Sequence, residues 1–132
     1  YSHEEWKIIH ETKKIMHSST INISATCVRV PVVIGHCESV HVEFTNPMTP
    51  PQARKLLESF AGVTVVDGIP SSEYPTPIIA EGLDDVLVGR IRQDVSIDNG
   101  LVFWLAVDNL RKGAATNALQ IIEYLHSNDF IN

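Results

Sequence analysis

Apolar side chains recur at helical spacing near the start of the chain: Trp6, Ile9 and Met16 fall with Lys13 on one side, with Ile8, Thr12 and Ile15 beside them. Glu4, Lys7, Glu11 and Lys14 occupy the opposite face, where three- and four-residue spacings bring side chains together. Ser2 followed by Glu5 makes a capping box, so a helix is predicted from about His3 to Met16, ended by Ser18-Ser19. The pattern then changes. Ile21 to Gly35 is rich in β-branched residues and predicts a long strand, weakened where Pro31 removes a ladder donor and where Gly35 ends it. Val40 to Phe44 alternates apolar and polar positions, exposing His41 and Glu43, and reads as the second arm of an antiparallel hairpin with that strand.

Thr49-Pro50-Pro51-Gln52 combines a cap, a proline at the first helical position and a glutamine that completes the box. The helix it opens has Ala53, Leu56, Leu57 and Phe60 as its apolar stripe. Val63 to Val66 predicts a short strand, and the proline- and serine-bearing stretch from Gly68 to Thr76 predicts an irregular loop. Two further strands, Val86 to Arg92 and Leu101 to Val107, are joined through the turn signal Asp98-Asn99-Gly100. A last helix is predicted over Gly113 to His126, burying Ala115, Ala118, Leu119, Ile122 and Leu125. Three helices among about five strands imply an α+β fold in a single domain over residues 1–132, with a mixed, largely antiparallel sheet covered by helices on one face. The other face, carrying Val102, Trp104 and Ala106, then needs cover, which a second copy of the chain would supply.

Composition narrows the functional classes. The 132 residues are 44% hydrophobic with a net charge of −6, enough for a packed core without metal or disulfide staples. No run of lysines or arginines marks a nucleic-acid partner, and no apolar run reaches the ~18 residues of a membrane span. Without a leader-like amino-terminal segment, and with Cys27 and Cys37 as the only cysteines, the chain is expected to be cytoplasmic.

The common chemical signatures are missing. There is no glycine-rich dinucleotide fingerprint, no phosphate-binding P-loop and no serine elbow. His3, His10 and His17 repeat along one helix, but seven residues is nearly two turns, about 11 Å, too far to share one ion, so no metal site is expected. Adjacent strand residues point to opposite faces, which separates the His36 ring from the Cys37 sulfur and argues against a thiol–imidazole pair. By themselves, Arg29 reads as an exposed strand cation and His36 as a turn residue.

Five segments in series alter that reading: E-E-W-K at Glu4 to Lys7, A-T-C-V-R-V-P-V at Ala25 to Val32, G-H at Gly35-His36, V-G-R-I-R-x-D at Val88 to Asp94, and D-N-L-R-K-G-A-A-x-N-A at Asp108 to Ala118. Together they resemble the bacterial-type aspartate-semialdehyde dehydrogenases over nearly the whole chain, with no correspondence claimed from Asn46 to Ile79. The resemblance implies the carboxy-terminal substrate and dimerisation domain of an enzyme with the fold of the glyceraldehyde-3-phosphate dehydrogenase catalytic domain. Such enzymes reduce β-aspartyl phosphate with NADPH to aspartate semialdehyde and phosphate, through a thioester on a cysteine. That reaction serves the aspartate pathway of lysine, threonine and methionine biosynthesis.

The resemblance also assigns roles. His36 is implied as the general acid/base, suited by an imidazole pKa near 6.5. Arg29 is implied to grip the substrate α-carboxylate through its planar fork. Glu4 faces the substrate ammonium, Lys7 helps bind phosphate, and Asn109 contacts the nicotinamide carboxamide of NADP. A regular strand would put Arg29 and His36 on opposite faces, so the strand must bulge or end between them.

In the family, an NADP-binding domain and the nucleophilic cysteine precede the region matched here, and neither Cys27 nor Cys37 fits the nucleophile's motif. These residues alone are therefore expected to be inactive and homodimeric, an amino-terminally truncated piece of the enzyme. The related N-acetylglutamyl-phosphate reductases, or a stand-alone interaction module that has lost the chemistry, remain alternatives. The E-E-W-K helix and R-V-P-V segment favour the aspartate enzyme.

Overall fold

The structure is a computed structural model describing residues 1–131. It divides into two compact units, Tyr1–Pro31 and Val32–Asn132.

The first unit is one helix and a tail without regular secondary structure. Helix α1, His3–Ile15, begins at the capping box: Ser2 caps, and its side chain accepts from the Glu5 N–H. Ile9 alone on this helix is buried. The tail from Ile21 to Pro31 carries no strand, and neither does the chain up to Gly35, against the long strand expected there. No described strand pairs with it, and β-branched composition records a fit to a pleated surface rather than a partner.

The second unit holds a four-stranded sheet, in order β1-β4-β3-β2, built from β1 (His36–Glu43), β2 (Val63–Val65), β3 (Val86–Gln93) and β4 (Gly100–Val107). Strand β1 pairs antiparallel with β4, from His36 opposite Val107 to Glu43 opposite Gly100, so the expected hairpin with the preceding segment does not form. Strands β3 and β4 are antiparallel, and β2 joins the β3 edge in parallel. The fold is mixed α+β, with four strands among the described residues rather than about five.

Helix α2, Pro50–Glu58, starts at the Thr49–Gln52 capping box and packs beside β2 and β3. The short helix α3, Pro77–Ala80, packs on β4, and its Ala80 forms the core with Leu87 and Ala106, flanked by Cys37 and Val66. Ala106 and Val102, expected on an uncovered face, are thus buried within the chain itself, and only Trp104 of that trio stays half-exposed. Helix α4, Thr116–Ser127, follows a π turn over Arg111–Ala115 that is broken at Ala114. Of its expected buried stripe only Leu125 is half-buried, while Ala115, Ala118, Leu119 and Ile122 are exposed.

Two buried carboxylates fix the sheet's irregular points. Strand β3 slips register between Gly89 and Arg92, with Arg90 in the left-handed region at φ 57°. Asp67, its side chain 0% exposed, accepts from the Arg90 and Ile91 backbone N–H groups at 2.7 and 3.2 Å and pairs with Arg54. That bulge also needs Gly89, because a Cβ there would lie 2.1 Å from the Val66 carbonyl oxygen. At the far end, Asp94 accepts from the Ser96 hydroxyl and N–H and pairs with His41 Nδ1 at 3.1 Å. The Ser96 hydroxyl first, then its N–H and His41, hold the Asp94 carboxyl down at about 2.

Candidate functional site

Glu4, Lys7 and Arg29 lie in the first unit, His36 and Asn109 in the second. All but Asn109, which is half-buried, are exposed.

Glu4 and Lys7 stand three residues apart on α1, so their side chains project from neighbouring positions of the helix surface. Glu5 joins this helix to the tail that carries Arg29. Its Oε2 accepts from the Ser2 N–H at 2.7 Å, completing the capping box, and its Oε1 accepts from the Cys27 N–H at 2.9 Å. The Ser2 N–H first, then that of Cys27, lower the Glu5 carboxyl below the ordinary glutamate range. A second tie runs between the Tyr1 and Ser24 hydroxyls at 3.2 Å. Trp6 packs between Tyr1 and His10, with ring centroids 5.2 and 5.4 Å away. Glu5 therefore ties the segment two residues before Arg29 to the start of α1. The sequence exposed its capping role but not the bond to Cys27.

His36 opens β1 directly after a corner that only glycine tolerates. Gly35 is buried at φ 105°, and a Cβ there would meet Pro77 Cβ at 3.1 Å. Its N–H donates to Asn109 Oδ1 at 2.7 Å, a bond spanning 74 residues that brings Asn109 beside the His36 corner. Because the bond uses the carbonyl oxygen of Asn109, its amide nitrogen keeps two N–H groups to donate elsewhere. That donor suits a nicotinamide carboxamide oxygen.

Asp108, 3% exposed, in turn holds Asn109. It accepts from the Gly82 N–H at 2.8 Å and from the Leu110 N–H at 2.8 Å, and the Gly82 bond leads in lowering its carboxyl pKa. Sequence reasoning named Asn109 and passed over Asp108. The available signal was an aspartate closing an apolar strand, where its side chain can bond the backbone two residues on. Cys37 points into the core beneath α3, opposite His36, and burial first, then Glu38, raises its thiol pKa. A protonated thiol facing the core is no nucleophile. Among the described residues no group of three His, Cys, Asp or Glu side chains gathers to hold a metal.

The architecture and this corner define a class: an α+β domain whose small sheet presents a histidine at the start of an edge strand, braced by an asparagine after the central one. The profile of the family described as semialdehyde dehydrogenase, dimerisation domain, matches residues 1–112. The chain belongs to that family. It is 52% identical over 125 residues to the aspartate-semialdehyde dehydrogenase of Aquifex aeolicus, covering 95% of this chain and 37% of the relative. The Legionella pneumophila aspartate-semialdehyde dehydrogenase is 54% identical over 126 residues, with 95% and 36% covered. A solved structure of aspartate semialdehyde dehydrogenase II from Vibrio cholerae, complexed with ASA, superposes with a TM-score of 0.90 at 45% identity, covering 96% of this chain and 37% of that one. A Candida albicans aspartate semialdehyde dehydrogenase solved with NADP gives a TM-score of 0.80 at 26% identity, over 99% and 44%. The chain thus spans little more than a third of the length of the Aquifex and Legionella relatives.

Proposed function

We propose that these residues form the substrate-binding and dimerisation part of an NADP-dependent aspartate-semialdehyde dehydrogenase, acting in the cytoplasm as a homodimer. The observation that carries the reading is the Gly35–Asn109 bond, which brings the Asn109 amide to the corner where the exposed His36 opens β1. His36 takes the proton from the thiohemiacetal hydroxyl formed on a cysteine of the complete enzyme, and returns it in the reductive direction. Arg29 holds the substrate α-carboxylate, Glu4 its ammonium, and Lys7 the phosphate. Asn109 orients the nicotinamide carboxamide, and bound NADPH supplies the hydride. Residues 1–132 by themselves carry neither a fitting nucleophile nor a dinucleotide fingerprint, so they bind substrate-like anions without turnover.

The test uses the complete enzyme. His36→Ala lowers kcat by roughly 10²–10⁴-fold, the usual worth of general acid–base catalysis, with KM little changed. Arg29→Lys chiefly raises KM, because a point charge replaces a bidentate fork. A His36→Ala enzyme with wild-type kcat, or an Arg29→Lys enzyme with wild-type KM, sinks the assignment for that residue.

A further inference from the structure

The turn that leaves α3 grips the Asn109 loop from both sides. Asp108, one residue before Asn109, accepts from the Gly82 N–H at 2.8 Å, with Gly82 at φ 80° turning the chain out of the helix. Two residues after Asn109, Arg111 donates to the Asp84 carboxylate from Nε at 2.8 Å and from Nη2 at 3.0 Å. The Thr116 hydroxyl donates to the same carboxylate at 2.9 Å. The start of α3 meets this corner as well, because Pro77 lies against Gly35, whose N–H donates to Asn109 Oδ1. Its end is fixed in the core through Ala80, 0% exposed, whose carbonyl accepts from the Leu83 N–H at 3.1 Å. The segment from Pro77 to Asp84 thus touches both flanks of Asn109 and its partner Gly35.

The two carboxylates act differently. Asp108 is buried, so its bonds to the Gly82 and Leu110 N–H groups are shielded from water. Asp84 and Arg111 are 45% and 44% exposed, and an exposed pair adds little stability. A bidentate pair with a third donor nevertheless fixes direction. A change in either tie alters the path of the loop and with it the aim of the Asn109 side chain.

We propose that Asp108 and Asp84 are positioning residues for the cofactor: by fastening both flanks of Asn109 to the turn after α3, they set the direction of its amide. This rests on the reading of Asn109 as the contact to the nicotinamide carboxamide, and adds the residues that aim it.

Two measurements on the complete enzyme test the proposal, and only one needs the cofactor. Without cofactor, hydrogen exchange at the Gly35 N–H reports its bond to Asn109. Asp108→Asn is expected to accelerate it by about 10-fold and Asp84→Asn by about 3-fold, while exchange along the β3–β4 ladder keeps the wild-type rate. With cofactor, calorimetry compares the Kd of NADPH with that of its thionicotinamide analogue, whose sulfur accepts hydrogen bonds poorly. Wild type is expected to prefer NADPH by about 10-fold, the worth of one hydrogen bond. That preference falls to about 3-fold in Asp108→Asn and to about 5-fold in Asp84→Asn, and it vanishes in Asn109→Asp. A general loosening of the fold weakens both ligands alike and leaves the ratio unchanged. An aspartate variant that keeps the wild-type exchange rate or the wild-type preference, while Asn109→Asp loses that preference, overturns the positioning role of its residue and leaves the Asn109 reading standing. A wild type without the preference, or a preference that survives Asn109→Asp, removes that reading and the proposal with it. Should Asp108→Asn fail to fold, Asp84→Asn, on the exposed pair, decides alone.

Discussion

The two units hold their candidate residues by different physics. In Tyr1–Pro31 the helix buries Ile9 alone, 7% exposed, and the tail bearing Arg29 is tied to it by a carboxylate and a hydroxyl. In Val32–Asn132 the His36 corner is set by close backbone approach, a glycine against Pro77 and an asparagine reaching across from the end of β4. Polar ties are strong only while their charge state and geometry persist, whereas steric fixation depends on volume. The Arg29 tail therefore responds to conditions, and the His36 corner responds to mutation.

Gly89→Ala attacks the sterically fixed unit most severely. A Cβ 2.1 Å from the Val66 carbonyl and 2.6 Å from Pro75 Cδ forces β2, β3 and the loop between them apart. The expected loss is about 3 kcal/mol or more in denaturant unfolding, at the upper end of overpacking effects. A variant as stable as wild type would mean that this unit is less rigid than its contacts imply.

Asn109 sharpens the contrast within the site. Asn109→Ala strands the buried Gly35 N–H and costs roughly 1–3 kcal/mol, whereas Asn109→Asp keeps the acceptor and retains most of that stability. If the amide also orients the nicotinamide, Asn109→Asp still raises the KM for NADPH in the complete enzyme. Equal stability losses for the two variants would remove the bracing role.

The smallest effect is expected from Glu5. Its folded-state pKa lies below the unfolded value, so its contribution is present above the unfolded pKa, about 4.3, and is lost as pH falls through the folded value. Hydrogen exchange at the Cys27 N–H should accelerate on acidification below about pH 4 beyond the intrinsic trend. In Glu5→Gln it should show no such acid step. An identical profile in both proteins would mean that another contact anchors the Arg29 tail.

Legibility in the sequence followed the range of the interaction. The ends of α1 and α2 and the turn at Asn99 depend on residues within four positions of one another, and the capping boxes marked both helices correctly. The partner of β1 was misread because alternation marks a strand without saying what it pairs with. Its true partner, β4, lies some sixty residues further along. The break between Arg29 and His36 was required on geometric grounds, and Gly35 at φ 105° immediately precedes the strand that His36 opens. Asp67 and Asp108 escaped notice because a carboxylate that bonds distant backbone N–H groups looks, in one dimension, like any surface acid. The stripe on α4 was read as buried, yet an amphipathic pattern states only that a face tolerates burial.

Arg90 shows how a protein can be held below its own maximum stability. Its left-handed backbone, φ 57°, suits glycine and strains a long side chain by roughly 1 kcal/mol, and the bond its main-chain N–H donates to Asp67 holds it there. Glycine at this position would preserve that bond, relax the backbone and erase the guanidinium. Random mutagenesis screened only for heat resistance would thus drift toward glycine at residue 90.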